Sequence, residues 1–147
     1  MKDFDQKSLQ TLELPLVLEQ LAKCAVSEAA KLRARALTPF THEEDVRRAL
    51  RETSDAKALS GLRGAPPFAG IRDVSASLTR AGRGGSLNCK ELLDVAMLLK
   101  TARMVRGYRG DDAQQKTSLD GLFSALSANK FLEDAITGAI LSEEEIA

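Results

Sequence analysis

Two interruptions of helical periodicity, at residues 61–70 and 82–88, constrain the fold of this chain more than any other sequence feature. The first contains two consecutive prolines, which cannot donate backbone hydrogen bonds, so a helix cannot continue through it. The second is rich in glycine and runs into Asn88 and Glu91, whose spacing is typical of a helix-capping box. The two breaks therefore predict a short helix between them, over residues 71–81, and a long amphipathic helix after them.

A proline inside the first helical stretch, residues 8–24, leaves two arrangements open. Pro15 removes a backbone donor, so it either kinks a single helix or occupies the first turn of a helix that starts near Leu14. We favour the second arrangement, with a separate turn over residues 8–13 packed beneath it.

Polar residues that can cap helices precede two further helical segments. Ser27 is expected to cap a helix over residues 28–37, and Thr41 with Glu44 fits the capping box of a third helix. Gly61 is expected to end that third helix, because glycine is common just after a helix terminus.

No segment shows the alternation of apolar and polar residues that is typical of a β-strand. Only 4% of the 147 residues are aromatic, so leucine, alanine and valine must supply most of the core. These observations predict an all-α fold, an irregular bundle of about six helices in one domain. Because the sequence stops at Ala147 without a helix-terminating signal, we expect it to be a fragment of a larger protein.

Several short motifs follow one another in a distinctive order within residues 8–110. They are Leu12-Glu13-Leu14, Gly70-Ile71-Arg72-Asp73, Leu78-Thr79-Arg80-Ala81, Gly84-Gly85-Ser86-Leu87 and Glu91-Leu92-Leu93. Their order resembles the N-terminal core and lever region of MutS-type proteins. It is most similar to the second bacterial MutS family, whose members usually end in a Smr nuclease domain.

This resemblance implies a mechanical role for the chain rather than a chemical one. In the family, the region links an ATPase dimer to the clamp that embraces nucleic acid. The parent protein is therefore expected to use ATP and Mg, and to act as a homodimer on branched DNA or on the ribosome. No glycine here begins the GxxxxGKS/T loop, in which backbone amides hold phosphate. The chain itself is expected to have no ATPase or nuclease activity and no cofactor, and its partner is the rest of its own parent chain.

Charge is unevenly distributed along the chain, although the net charge is zero. Residues 61–110 carry nine basic and three acidic side chains, whereas residues 111–147 carry two basic and eight acidic ones. We therefore distinguish the MutS-like core and lever helices, residues 1–110, from an acidic helical continuation of the same domain, residues 111–147. The continuation is expected to be truncated.

The basic segment supports a second hypothesis, a nucleic-acid-binding module. Arg103 and Arg106 share a helix face, Lys100 lies one turn earlier, and such a stripe can contact phosphates. The alternative is that these side chains are solvated or pair with the acidic residues 111–147. Only Tyr108 is close enough to stack on bases, which argues against single-strand binding. The candidate residues are Arg72, Arg80, Arg83, Lys100, Arg103 and Arg106.

Residues that might support catalysis or metal binding are few. His42 has no nucleophile or acid assigned to it, and Cys24 and Cys89 lie on apolar helices outside any CxxC pair. A small enzyme that depends on one of these residues is therefore the least favoured hypothesis. The carboxylates at 111–112 and 143–145 lack the spacing of a calcium loop, so no metal site is expected. The absence of a signal peptide and of a membrane-spanning run favours a cytoplasmic protein with reduced thiols and no membrane partner.

Overall fold

The structure, a computed structural model, describes residues 6–110 and 116–140. The described residues confirm the all-α prediction, and they form eight helices rather than about six. One of the additional helices arises because the first helical stretch is divided. In chain order the helices are α1 (Gln6–Thr11), α2 (Leu14–Cys24), α3 (Glu28–Arg35), α4 (Glu43–Arg63), α5 (Ser75–Gly82), α6 (Cys89–Tyr108), α7 (Asp120–Ser124) and α8 (Lys130–Ala139).

The division between α1 and α2 is the one that the favoured arrangement of Pro15 predicts. Glu13 adopts a left-handed conformation with φ 56°, which interrupts the helix, and Pro15 lies in the first turn of α2. Proline is tolerated at that position because the first amides of a helix have no intrahelical acceptor.

A hairpin of α2 and α3 follows. The hydroxyl of Ser27 accepts a hydrogen bond from the Ala30 amide at 3.2 Å, which confirms Ser27 as the cap of α3. The buried residues of the hairpin are the small side chains Ala22 and Ala34. Arg35 of α3 donates two hydrogen bonds, at 2.8 and 3.0 Å, to the carboxylate of Glu19 on α2.

The predicted capping box of the third helix is wrong. The helix begins one residue later than that box requires, so His42 is the N-cap residue and it makes no side-chain capping hydrogen bond. Carboxylates in the first turn of α4 still favour the helix terminus through its dipole. Gly61 does not end the helix either, since α4 continues to Arg63 and ends at Gly64, whose φ is 78°.

Helix α5 begins later than predicted, whereas the predicted capping box of α6 is confirmed. Residues 71–74 precede the helix and are not helical, and the Asp73 carboxylate accepts the Ser75 amide at 2.9 Å. At the start of α6, the Asn88 side chain accepts the Glu91 amide and the Glu91 side chain accepts the Asn88 amide, both at 2.9 Å.

The main apolar cluster lies between α6 and α8. Its buried members are Ala96 on α6, Ile136 on α8 and Ile140 just beyond α8, and Asn129 caps α8 by accepting the Leu132 amide. Partly buried side chains of α6 surround this cluster, namely Cys89, Leu92, Leu93 and Val95. The far end of α6 is tied to the end of α4 by a hydrogen bond from the Tyr108 hydroxyl to the Gly64 carbonyl.

Candidate nucleic-acid interface

The six candidate basic residues lie on or beside α5 and α6, but they do not form one continuous basic face. Three of them pair with carboxylates of neighbouring elements, namely Arg72, Arg80 and Arg103. The other three, Arg83, Lys100 and Arg106, form no ion pair with a residue in the described part of the chain.

Arg103 connects α6 with α8 through Glu133. Its Nε and Nη2 atoms donate to the two carboxylate oxygens at 3.0 and 2.7 Å, which is a bidentate geometry. The Glu133 side chain is only 8% exposed, and hydrogen bonding from Arg103 lowers the pKa of its carboxyl. Because a carboxylate removed from water requires its counter-charge, Arg103 stabilises the contact between the two helices through Glu133.

The corner between α5 and α6 is closed by the carboxylate of Glu91. The Asn88 amide donates to it at 2.9 Å, the Ser77 hydroxyl at 3.0 Å, and the Arg80 guanidinium donates as well. The Asn88 amide and then Arg80 lower the pKa of Glu91 to about 2. We call these four residues, with the turn of residues 82–88, the α5–α6 corner.

Gly85 is needed in this corner because Arg80 folds across the turn. Arg80 Nε donates to the Ser86 carbonyl at 3.1 Å, and the Gly85 amide donates to the Arg80 carbonyl at 3.0 Å. A Cβ atom on Gly85 would lie 2.6 Å from Arg80 Cγ, which is too close for any side chain. One glycine of the sequence motif therefore has a direct steric explanation.

Arg72 makes the weakest of the three ion pairs. It lies 3.4 Å from Asp94 and its side chain is largely exposed, so the pair contributes little to stability. Both residues line a cavity of about 770 Å³ between the start of α3 and residues 70–75. The cavity is also lined by the carboxylates of Glu28 and Asp73, so its charge does not suit a phosphate.

The remaining cations are spread over the surface. Arg83 caps the end of α5, whereas Lys100 and Arg106 lie on α6. A separation of six residues rotates two helical side chains by about 120° from each other. Once Arg103 is paired with Glu133, the stripe predicted on α6 is therefore no longer continuous.

Acidic residues of the segment 111–147 form ion pairs with basic residues of the segment 61–110. Such pairing was one of the alternatives that the sequence left open. Glu133 pairs with Arg103, and Asp120 accepts a hydrogen bond from Arg109 Nη2 at 3.0 Å. Asp55 on α4 accepts both the amide and the hydroxyl of Ser118, at 2.8 and 2.7 Å. The opposite charges of the two segments indicated that ion pairs between them were possible, whereas the contact of Asp55 with Ser118 had no signal in the sequence.

The His, Cys, Asp and Glu side chains of the described residues do not assemble a metal-binding cluster. Within residues 6–110 and 116–140, no group of three or more His, Cys, Asp or Glu side chains is arranged to hold a metal ion. His42 is an exposed helix cap, Cys24 is exposed on α2, and Cys89 packs beside the α6–α8 cluster. The carboxylates at 111–112 and 143–145 lie outside the described residues.

An apolar cleft of about 430 Å³ is enclosed by α4, residues 64–71, α6 and α7. Its volume is in the range of small-molecule sites, but such sites also carry a few polar groups that orient a ligand. No charged side chain lines this cleft, and its polar lining consists of Ser60, Thr101 and Tyr108. Its main walls are Leu59, Phe68, Ile71, Leu98, Val105 and Phe123. In the same part of the chain that the structure describes, no helix is long and apolar enough to cross a membrane.

The relatives that we report for this chain all have the same protein name. No protein-family model matches the chain. It is 40% identical to "Endonuclease MutS2" of Acetivibrio thermocellus, 38% identical to the protein of that name from Ruminiclostridium cellulolyticum and 37% identical to that from Agathobacter rectalis. Each alignment covers 97% of this chain but 18% of the relative. The chain thus spans about a fifth of the length of these curated relatives.

Proposed function

This chain is homologous to one segment of the endonuclease MutS2 proteins, and from that premise we propose that it is a non-catalytic core and lever segment. The observation that supports this role most directly is that basic side chains in the middle of the chain connect one helix with another. Arg80 connects α5 with α6, Arg103 connects α6 with α8, and Arg109 connects the end of α6 with α7. Such cross-links keep helices in fixed relative positions, as a mechanical element requires.

In the proposed parent, this segment couples an ATPase to a clamp on nucleic acid. ATP and Mg bind outside this chain, and the parent acts as a cytoplasmic homodimer on branched DNA or on the ribosome. Cleavage of nucleic acid is likewise assigned to other parts of the parent. The support for this assignment is the homology, in which this chain aligns with only 18% of the relatives' length.

We expect the Arg103–Glu133 pair to carry coupling in the parent. In a full-length parent with Arg103→Gln, the change in affinity for branched DNA caused by a non-hydrolysable ATP analogue and Mg should shrink by about tenfold, because α6 and α8 can then shift relative to each other. The measurement is the dissociation constant with and without the analogue.

The matched control for this experiment is Lys100→Gln. It removes the same charge from the same helix, but Lys100 forms no ion pair with a described residue. Retained coupling in this variant together with lost coupling in Arg103→Gln supports the lever role. Equal coupling in both variants contradicts it.

The second candidate function is a nucleic-acid-binding module, which Arg83, Lys100 and Arg106 favour because they are not used in ion pairs among the described residues. If it is correct, this chain binds branched DNA or structured RNA at low salt, and the double variant Lys100→Glu and Arg106→Glu loses that binding. Each phosphate contact should contribute a slope of about −0.9 to the dependence of log affinity on log salt.

Titration by fluorescence anisotropy at low and moderate salt separates the two candidates. Reversal of Arg103 is unsuitable as a test because it also breaks the pair with Glu133. No binding at low salt by a helical, folded chain would assign all nucleic-acid contacts to other parts of the parent.

A further inference from the structure

The segment of residues 12–40, which contains α2, α3 and their connections, exposes many large apolar side chains. Eight of the eighteen large apolar side chains that are exposed in the described residues fall within residues 12–40. Leu12 is 75% exposed and Leu32 is 64% exposed. Apolar surface concentrated in this way marks an interaction site in soluble proteins. The eight are Leu12, Leu16, Val17, Leu21, Val26, Leu32, Leu37 and Phe40.

Part of this surface forms a shallow depression of about 290 Å³ between α2 and α3. Leu21 and Cys24 of α2 line one side, and Leu37, beyond the end of α3, lines the other. Val17 lies one turn before Leu21 and so continues the same stripe along α2. We call Val17, Leu21, Cys24 and Leu37 the hairpin patch.

The hairpin has little apolar burial of its own. Its buried side chains are Ala22 and Ala34, which remove little apolar area from water. The bidentate pair of Glu19 and Arg35 lies within the hairpin and does not tie it to α4–α8. Short helices without a packed apolar face are marginally stable in water, so the hairpin patch requires a covering surface.

The charges around the hairpin patch indicate what kind of surface fits it. Arg33 lines the same depression, and Lys23 is exposed beside Cys24 on α2. Neither cation forms an ion pair with another residue that the structure describes. An apolar stripe bordered by cations is complementary to an amphipathic helix whose apolar stripe is bordered by Asp or Glu.

We infer that the hairpin patch is the docking site for an amphipathic, acid-flanked helix from the part of the parent that lies outside this chain. This inference rests on the proposed function, because it takes the parent to be a MutS2-type protein. Relatives contain far more chain than is present here, since the aligned segment is 18% of their length. The rest of the parent polypeptide is therefore long enough to supply the covering helix. A helix in the same polypeptide also has a high effective concentration at the hairpin patch.

Cys24 offers a test that needs no substitution. Maleimide labelling of Cys24, followed by peptide mass spectrometry, should be at least about tenfold slower in the full-length parent than in this chain alone, because the covering helix must open first. Cys89 packs within the α6–α8 cluster and should label at a similar rate in both proteins, which makes it the internal control. Equal Cys24 rates in the two proteins would overturn the inference.

Charge substitutions test the same site in the parent. Leu21→Glu should restore fast labelling of Cys24, whereas Gln10→Glu, which adds the same charge at an exposed position of α1 outside the hairpin patch, should not. If Cys24 in this chain alone becomes protected as its concentration rises, with a dimer seen by light scattering, a second copy covers the patch and the inference is wrong. The labelling is done without nucleotide, so its outcome is independent of the coupling experiment that tests the lever role.

Discussion

Replacement of Ile136 by alanine is expected to lower the free energy of unfolding of this chain by about 3 kcal/mol. Ile136 is 8% exposed and packs with Ala96 and Ile140 in the α6–α8 cluster. The truncation leaves a cavity that small neighbours such as Ala96 cannot fill. Urea denaturation followed by far-ultraviolet circular dichroism measures the change.

Phe131→Ala is the matched control for this prediction. It truncates a larger apolar side chain in the same helix, but Phe131 is 85% exposed. Its effect should stay within about 0.5 kcal/mol, as for surface substitutions in general. Equal losses of stability in the two variants would mean that the α6–α8 contact does not form the core of this chain.

The second large effect is expected in the α5–α6 corner on replacement of Glu91 by glutamine. A glutamine side chain is neutral and has one acceptor oxygen, so it cannot replace the carboxylate that accepts hydrogen bonds from Asn88, Ser77 and Arg80. The contacts that hold the α5–α6 corner together are therefore weakened. Amide hydrogen exchange over residues 82–92 should become at least about tenfold faster at neutral pH, while exchange in α8 stays unchanged. Asp94→Asn is the control, since Asp94 only faces the exposed Arg72 at 3.4 Å.

Acid should loosen the same corner in the unsubstituted chain. The folded-state pKa of Glu91 is about 2, below the ordinary value of 4.5, so protons bind more tightly when the corner is open. The stabilisation from Glu91 is therefore complete above about pH 4.5 and is lost as pH falls toward 2. The Glu91→Gln variant should lack this local pH dependence, and an identical acid response in both proteins would contradict the assignment.

The sequence predicted three helix starts, each of which is determined by residues close by in the chain. Pro15, Ser27 and the pair of Asn88 and Glu91 each act within one turn of the chain, and the structure confirms all three. The capping box at Thr41 was predicted by the same rule, but it failed because the helix starts one residue later, at Glu43. The pattern does not account for Glu43, Glu44 and Asp45, which lie in the first turn of α4 and favour that helix start without a side-chain cap.

The candidate site was less predictable because the ion-pair partner of an arginine can lie far away in the sequence. Arg103 and Glu133 are thirty positions apart, and Asp55 and Ser118 are sixty-three apart. The charge asymmetry between the two segments indicated that such pairs were possible, but it could not assign partners. Whether Arg83, Lys100 and Arg106 contact nucleic acid, and whether residues 1–110 and 111–147 are parts of one domain, remain predictions.

The pairing of Arg103 and Arg109 with the acidic segment also changes the field that an approaching polyanion meets. Residues 61–110 carry nine basic and three acidic side chains, a charge of +6, and inclusion of Glu133 and Asp120 reduces this to +4. Long-range attraction by uncompensated charge accelerates diffusional encounter. We therefore expect this segment to add less electrostatic steering to the capture of nucleic acid than its own charge of +6 would give.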